Sequence, residues 1–244
     1  MNSEIVHFIC WKWKSEKNRY DHTHVNKFVR GLKRHYQKPH RIICITDDPK
    51  GIRGGCETFP LWSDHSSLRN PSGKHLPSCY RRLKIFSPVL QSELNIDPGE
   101  RIVSIDLDVV FTGNLEPMFY NRSEEYIGWK GVGTYHPIVY NGTVFAFKAG
   151  AKQELWDDFD PERTPAIVSK EKFFGSDQAW MSYKLAGSVP GYGVRDGMYS
   201  YSRDIRAARV DLPRNAKIVS FNGKHKPWHT FVHARAPWVK DHWI

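Results

Sequence analysis

The run from Arg101 to Phe111, Arg-Ile-Val-Ser-Ile-Asp-Leu-Asp-Val-Val-Phe, constrains the fold more than any other stretch of the chain. Ile102, Val103, Ile105, Val109, Val110 and Phe111 form a nearly continuous apolar segment, the pattern of a central strand covered on both faces. Asp106 and Asp108 interrupt it. In an extended or slightly bent chain, residues i and i+2 share a face, so the two carboxylates can converge on one ion. Oxygen-only ligands select a hard cation such as Mn2+ or Mg2+, which keeps positions open for substrate phosphates. The competing reading is a pair of aspartates that ends a strand in a turn. That reading leaves two adjacent negative charges in an apolar setting, which is costly unless a cation or hydrogen-bond donors satisfy them.

At 244 residues the chain is long enough for one substantial core, and residues 1–244 are expected to form a single domain. The first residues, Met-Asn-Ser-Glu-Ile-Val-His-Phe, lack the basic leader and long apolar core of a signal peptide, and no apolar run approaches the roughly 18 residues needed to span a bilayer. The expectation is a soluble cytoplasmic protein of a bacterial or phage-infected cell. Cys10, Cys44, Cys56 and Cys79 have no Cys-x-x-Cys pairing, so they are read as reduced thiols, not as a zinc site or a disulfide framework. The net charge of +10 implies an anionic partner. Basic and aromatic residues interleave in Trp11-Lys12-Trp13-Lys14, Lys17, Arg19 and Tyr20, and again in Lys224-His225-Lys226-Pro227-Trp228-His229. That mixture suits phosphate contacts with stacking on bases or sugars, or else a solvated basic surface with its aromatics in the core.

Strand-like and helix-like segments alternate in the first half, the sign of an α/β domain with a largely parallel sheet. Ile5–Cys10 and Arg41–Thr46 read as strands, with an amphipathic helix over Thr23–Tyr36 carrying Val25, Phe28, Val29 and Leu32 on one face. A turn follows at 47–51, and 61–77 is a long polar loop of the kind that often binds ligands. Cys79–Leu90 reads as a helix, Tyr126–Trp129 and Gly142–Phe147 as strands, Ala149–Phe159 and Ser176–Ala186 as helices, and Asp160–Phe174 as a connection. Beyond Pro190 the pattern is of short strands, with Ile218–Phe221 followed by an aromatic tail.

Four ordered patterns then resemble glycosyltransferases of the GT-A fold, family eight, the glycogenin and lipopolysaccharide galactosyltransferase group. They are Cys79-Tyr-Arg-Arg82-Leu-Lys; Ser104-Ile-Asp106-Leu-Asp108 with Gly113-Asn-Leu; Asn141-Gly-Thr-Val with Asp177-Gln178; and Asn222-Gly-Lys-His-Lys226-Pro-Trp228. The resemblance implies a GT-A-like, Rossmann-related mixed sheet flanked by helices. It also implies a transferase that moves a hexosyl or pentosyl group from a nucleotide sugar, expected to be a UDP-sugar, with retention of configuration. By resemblance, Asp106 and Asp108 bind Mn2+ or Mg2+, and Arg82, Asp106, Asn141, Lys226 and Trp228 bind the donor. Asp177 and Gln178 lie on the reacting face. The family carries a third metal ligand, a histidine, where this chain has Ser220, and Asn222 is the substitute favoured here, with His225 or His229 as alternatives.

An amide is a poor nucleophile, so front-face attack guided by the diphosphate is favoured at Gln178; an inverting enzyme would instead need Asp177 as general base. The charge pattern points to DNA carrying a hydroxymethylated base, as in phage genomes, as acceptor, with Trp11, Lys12, Trp13 and His225 as contacts and the base everted from the duplex. An envelope glycan or other saccharide is the alternative acceptor. Two other classes stay open: a metal-dependent phosphotransferase or nuclease, and a non-catalytic nucleic-acid-binding protein on a transferase scaffold. Oligomeric state is not legible.

Overall fold

The structure, a computed structural model, describes residues 4–14, 20–71, 79–131, 139–185 and 187–244. Lys17, Arg19, positions 72–77 of the polar loop and Ala186 lie outside the described residues.

Val6–Lys12 (β1), His40–Thr46 (β2), Glu57–Pro60 (β3) and Arg101–Ile105 (β4) are parallel neighbours. Val109–Phe111 (β5) leaves that sheet, and Tyr126–Trp129 (β6), Asn141–Lys148 (β7) and Gly191–Tyr192 (β8) complete it in the order β3-β2-β1-β4-β7-β6-β8. The pairings of β7 with β4 and β6 are antiparallel. Met198–Ser200 (β9) and Ile218–Ser220 (β10) join β5 in a second sheet, ordered β5-β10-β9. The fold is therefore α/β, with a mostly parallel main sheet between helices.

Both faces of the main sheet are apolar because its central strands are covered on both sides. Phe8, Cys10, Ile42, Cys44, Val103, Ile105, Val144 and Ala146 face one core, together with Val25, Phe28, Val29 and Leu32 of the helix His22–His35. Ile9, Trp11, Ile43, Ile45, Ile102, Phe145 and Phe147 alternate to the other, under Leu83, Phe86, Trp180 and Met181. Asp21 starts the first helix, its carboxylate accepting from the backbone N–H groups of Thr23 and His24.

Several expectations need correction. Residues 101–111 are two strands in two sheets, and Asp106-Leu107-Asp108 is the turn that carries the chain between them. The helix expected over 79–90 is a 3-10 helix, Cys79–Phe86, broken at Ser87 before Pro88, followed by a separate helix Pro88–Glu93. A residue before proline disfavours the α region, which accounts for the break. The expected 149–159 helix shrinks to Glu154–Asp157, whereas the supposed connection 160–174 contains a helix, Thr164–Lys170, pinned by buried Val168. Tyr201–Ala207 is π-helical, and the aromatic tail folds as Thr230–Arg235 and Trp238–His242. Segments this short have little intrinsic helicity, and tertiary packing decides them.

Candidate active site

The carboxyl ends of the parallel strands and the start of β7 meet at one edge of the sheet, where open α/β sheets bind ligands. Asp106 and Asp108 sit there because two backbone bonds fasten their turn. The Asp106 N–H donates to the Thr143 carbonyl at 2.9 Å, and the Phe221 N–H donates to the Asp108 carbonyl at 2.8 Å.

Arg82 organises one end of the cleft. Its Nε and Nη2 donate to the Asp177 carboxylate at 2.7 and 2.6 Å, and Nη1 pairs with Asp106. Arg82 and Asp177 are 5% and 2% exposed, so this charge pair is almost dry. Such a pair is tolerated only when each member is well satisfied. Gly142 makes room for it: a Cβ there would stand 2.5 Å from Arg82 Nη2. Asn141 accepts at Oδ1 from the Thr143 N–H at 2.9 Å, and Gln178 Oε1 accepts from the Gly142 N–H at 3.5 Å. Arg82, Asp106, Asn141, Asp177, Gln178 and Asn222 line one open, polar cavity of about 420 Å3. Asp177 is buried and paired with Arg82.

The other end is aromatic. Trp11, Trp13, Tyr20, Cys79, Arg82, Asp106 and Asp108 line a pocket of about 110 Å3. Trp11 stands edge-on to Trp13 and Trp62 with centroids 6.3 and 5.8 Å apart, and its Nε1 donates to Ser104 Oγ at 2.8 Å. Lys226 pairs with Asp108, and its Nζ donates to the Phe221 carbonyl at 3.1 Å. Tyr20 lies within hydrogen-bonding reach of Asp108; burial, then the Asp108 and Asp106 charges, push its pKa far up, so it stays protonated and can donate.

Three carboxylates, Asp106, Asp108 and Asp177, thus face two cations, Arg82 and Lys226. The imbalance is felt at Asp106, whose pKa is pushed up to about 7 by burial and by Asp108 and Asp177, against the pull of Arg82. A divalent cation would turn the net charge of this set from one negative to one positive, which suits a diphosphate. The donor chemistry fits a hard cation, with Asp106 and Asp108 as its carboxylate ligands. The third position is less complete. Ser220 Oγ is buried without a partner, Asn222 is exposed with Oδ1 accepting from Ser200 Oγ at 3.3 Å, and among the described residues no three His, Cys, Asp or Glu side chains form a metal cluster.

The remaining sequence-derived contacts divide. Trp13 is half-buried in the aromatic end, but Trp11 is 4% and Lys12 5% exposed, so neither is the exposed acceptor contact expected of it. The apolar face of β1 has absorbed Trp11, and Lys12 lies 4.0 Å from Asp47. Trp228 stands behind the cleft, packed edge-on to Tyr20 at 5.8 Å and His24 at 4.6 Å, and so braces the Lys226 loop. His225 is stacked on Phe231 at 5.5 Å, outside the residues that line the cleft. Tyr20, Thr143 and Cys79 were missed as cleft residues. Tyr20 carried a signal as the end of the basic, aromatic stretch, and Cys79 as the residue three before Arg82; Thr143 carried none.

No protein-family model matches this sequence, and no curated protein matches it. Solved structures do. The galactosyltransferase LgtC, in complex with donor and acceptor sugar analogs, matches with a TM-score of 0.62 at 12% identity, over 97% of this chain and 96% of LgtC. The glycosyltransferase GlyE of Streptococcus pneumoniae TIGR4 matches with a TM-score of 0.57 at 10% identity, over 94% of this chain and 57% of its own. The bifunctional WbbM matches with a TM-score of 0.55 at 14% identity, over 98% of this chain and 51% of its own. The chain has the GT-A-type fold of these glycosyltransferases.

Proposed function

We infer that this protein is a metal-dependent glycosyltransferase that moves a sugar from a nucleotide sugar to an acceptor hydroxyl. The observation that carries this reading is the convergence of Asp106, Asp108, Arg82, Asn141, Gln178 and Lys226 on one cleft with an aromatic end and a polar end. The aromatic end has flat walls on which a base can stack, a UDP-sugar being the expected donor. The polar end offers amide and backbone groups to sugar hydroxyls.

Asp106 and Asp108 would hold Mn2+ or Mg2+, which supplies Lewis-acid neutralisation of the leaving diphosphate. Lys226 brings a cation on a flexible stem that can exchange Asp108 for a phosphate oxygen as charge grows there. Arg82, locked by Asp177, presents a fixed charge at the junction of nucleotide and sugar ends. Gln178 stands beside the reacting face without carrying charge, and with Asp177 committed to Arg82 no carboxylate among the described residues of the cleft is left free for inversion. This arrangement supports a retaining transfer. One LgtC structure is of an active-site variant with glutamine replaced by glutamate, in keeping with an active-site glutamine in that protein.

For the acceptor, the net charge of +10 favours a polyanion, DNA with a hydroxymethylated base. A saccharide acceptor is the second reading, favoured by likeness to LgtC, whose structure holds an acceptor sugar analog. Mass spectrometry of nucleotide sugars incubated with hydroxymethylated DNA and with simple saccharides tests both readings. Sugar added to DNA supports the first and sugar added to a saccharide the second. Turnover with neither, in the presence of Mn2+ or Mg2+, sinks the transferase reading.

A further inference from the structure

Behind the Lys226 loop lies a separate concavity that the transfer chemistry does not use. Arg206, Arg209 and Arg235 line it with Tyr201 and a single acid, Asp211. Among the described residues none of these three guanidiniums forms an ion pair, although Asp204 nearby is taken by Arg203 at 2.6 Å. Arg206 and Arg209 are held in place by an uncommon backbone. Tyr201–Ala207 is π-helical, a form that is rare and concentrated at functional sites. Arg209 follows at φ +56°, left-handed geometry that glycine adopts more cheaply, with its N–H donating to the Arg206 carbonyl at 3.3 Å. Arg235 comes from the helix Thr230–Arg235, its guanidinium 5.6 Å from the centroid of the exposed Phe231 ring. Arg206 and Arg235 both act electrostatically on the Tyr201 hydroxyl, so charges from two separate elements converge on one wall.

The concavity is one side-chain layer from the reaction centre. Tyr201 stacks on Phe221 at 4.5 Å, and the Phe221 carbonyl accepts from Lys226. His225, the basic residue the cleft leaves out, has its ring against Phe231. Its own Nε2 is buried without a partner.

We propose that Arg206, Arg209 and Arg235 form an oxyanion subsite that takes a phosphodiester group of the acceptor, holding a nucleic-acid chain while the base hydroxyl enters the cleft. The subsite rests on the acceptor reading above for its role but not for its chemistry. Guanidinium forks match phosphate oxygens in pairs. An exposed pocket open at its rim suits a chain that passes through, whereas a buried pocket would suit a terminal monoester.

The experiment uses the full chain and the exposed double variant Arg206→Gln/Arg235→Gln, with thermal unfolding as the check that both fold alike. Binding of a short duplex containing hydroxymethylcytosine is followed by fluorescence anisotropy across a salt series, and inorganic phosphate is titrated in parallel. The wild type should bind the duplex, and the double variant should bind on the order of tenfold or more weakly, its salt slope reduced by about one for each phosphate that is no longer neutralised. Hydrolysis of the nucleotide sugar without acceptor should be unchanged. Equal duplex affinity and salt slope in the two proteins would overturn the subsite while leaving DNA as acceptor. Loss of phosphate binding in the variant, with no duplex binding by the wild type, would keep an oxyanion site for a small phosphorylated ligand and overturn its nucleic-acid role. Binding of neither probe by the wild type would overturn it altogether.

Discussion

The two ends of the cleft hold their charges differently. At the polar end, Arg82 and Asp177 are nearly dry and fastened to each other and to Asp106, on elements packed into the core. At the aromatic end, Asp108 pairs with Lys226, whose side chain is 19% exposed and sits on a loop braced by Trp228. The first arrangement is a fixed support, with its desolvation cost already met within the fold. The second is an exchangeable contact, since a lysine at the rim can trade a carboxylate for a phosphate at little cost in solvation.

This contrast predicts different losses from similar-looking substitutions. The largest should come from Asp108→Asn, which removes a metal ligand and the partner of Lys226. Transfer should fall about 10^2- to 10^3-fold, as when one charge-stabilising group is removed, with little change in the unfolding midpoint. Next is Arg82→Met, which strands the buried Asp177 carboxylate and should cost about 3–5 kcal/mol in denaturant unfolding. Lys226→Met is the matched comparison: it too strands a carboxylate, Asp108 being 5% exposed, but one that Tyr20 still reaches, so it should cost less, about 1–3 kcal/mol, with a lower kcat. If Lys226→Met unfolds as readily as Arg82→Met, the distinction between support and exchangeable contact collapses.

Smaller effects sharpen it. Gly142→Ala should destabilise by about 1–3 kcal/mol, because its Cβ would meet the Arg82 guanidinium, and should shift the sugar end but not nucleotide affinity. Trp13→Ala should raise donor KM about tenfold with kcat retained, as expected when one stacking wall is removed. The smallest effect is in pH. Asp106 titrates in the fold at about 7, above its ordinary 3.8, so between those values the native state binds more protons than the unfolded chain. Metal-free stability should decline as pH rises through that window, and divalent-cation affinity should rise with it. Unfolding and Mn2+ titrations at pH 5 and pH 8 check both signs.

Legibility in the sequence followed the range of the interaction. The apolar runs at Ile5–Cys10, Arg41–Thr46 and Arg101–Phe111 and the spacing of Val25, Phe28, Val29 and Leu32 disclosed the α/β core, because burial of a strand or helix face is written in local periodicity. Asp106 and Asp108 were singled out from the pattern of 101–111, and Arg82, Asn141, Gln178 and Lys226 from the family resemblance; the fold brings all six to one edge of the sheet. The short helices at 164–170 and 230–242 were not legible, since contacts from elsewhere in the chain stabilise them.

Side-chain partnerships were the second thing hidden. Trp11 and Lys12 read as contacts in a basic, aromatic stretch, yet Trp11 and Trp13 share one face and line the cleft together, with Trp11 built into the core beneath it and Trp13 half-buried. Arg206, Arg209 and Arg235 lie apart in sequence and meet only because a π-helix and a late helix converge. The sequence by itself determined the sheet, the position of the carboxylate pair in the chain and the excess of positive charge, all properties of composition and short-range order. Tertiary structure alone decided which cation faces which carboxylate and where unpaired charge gathers, because a charge's energy is set by neighbours and burial that folding brings from distant parts of the chain.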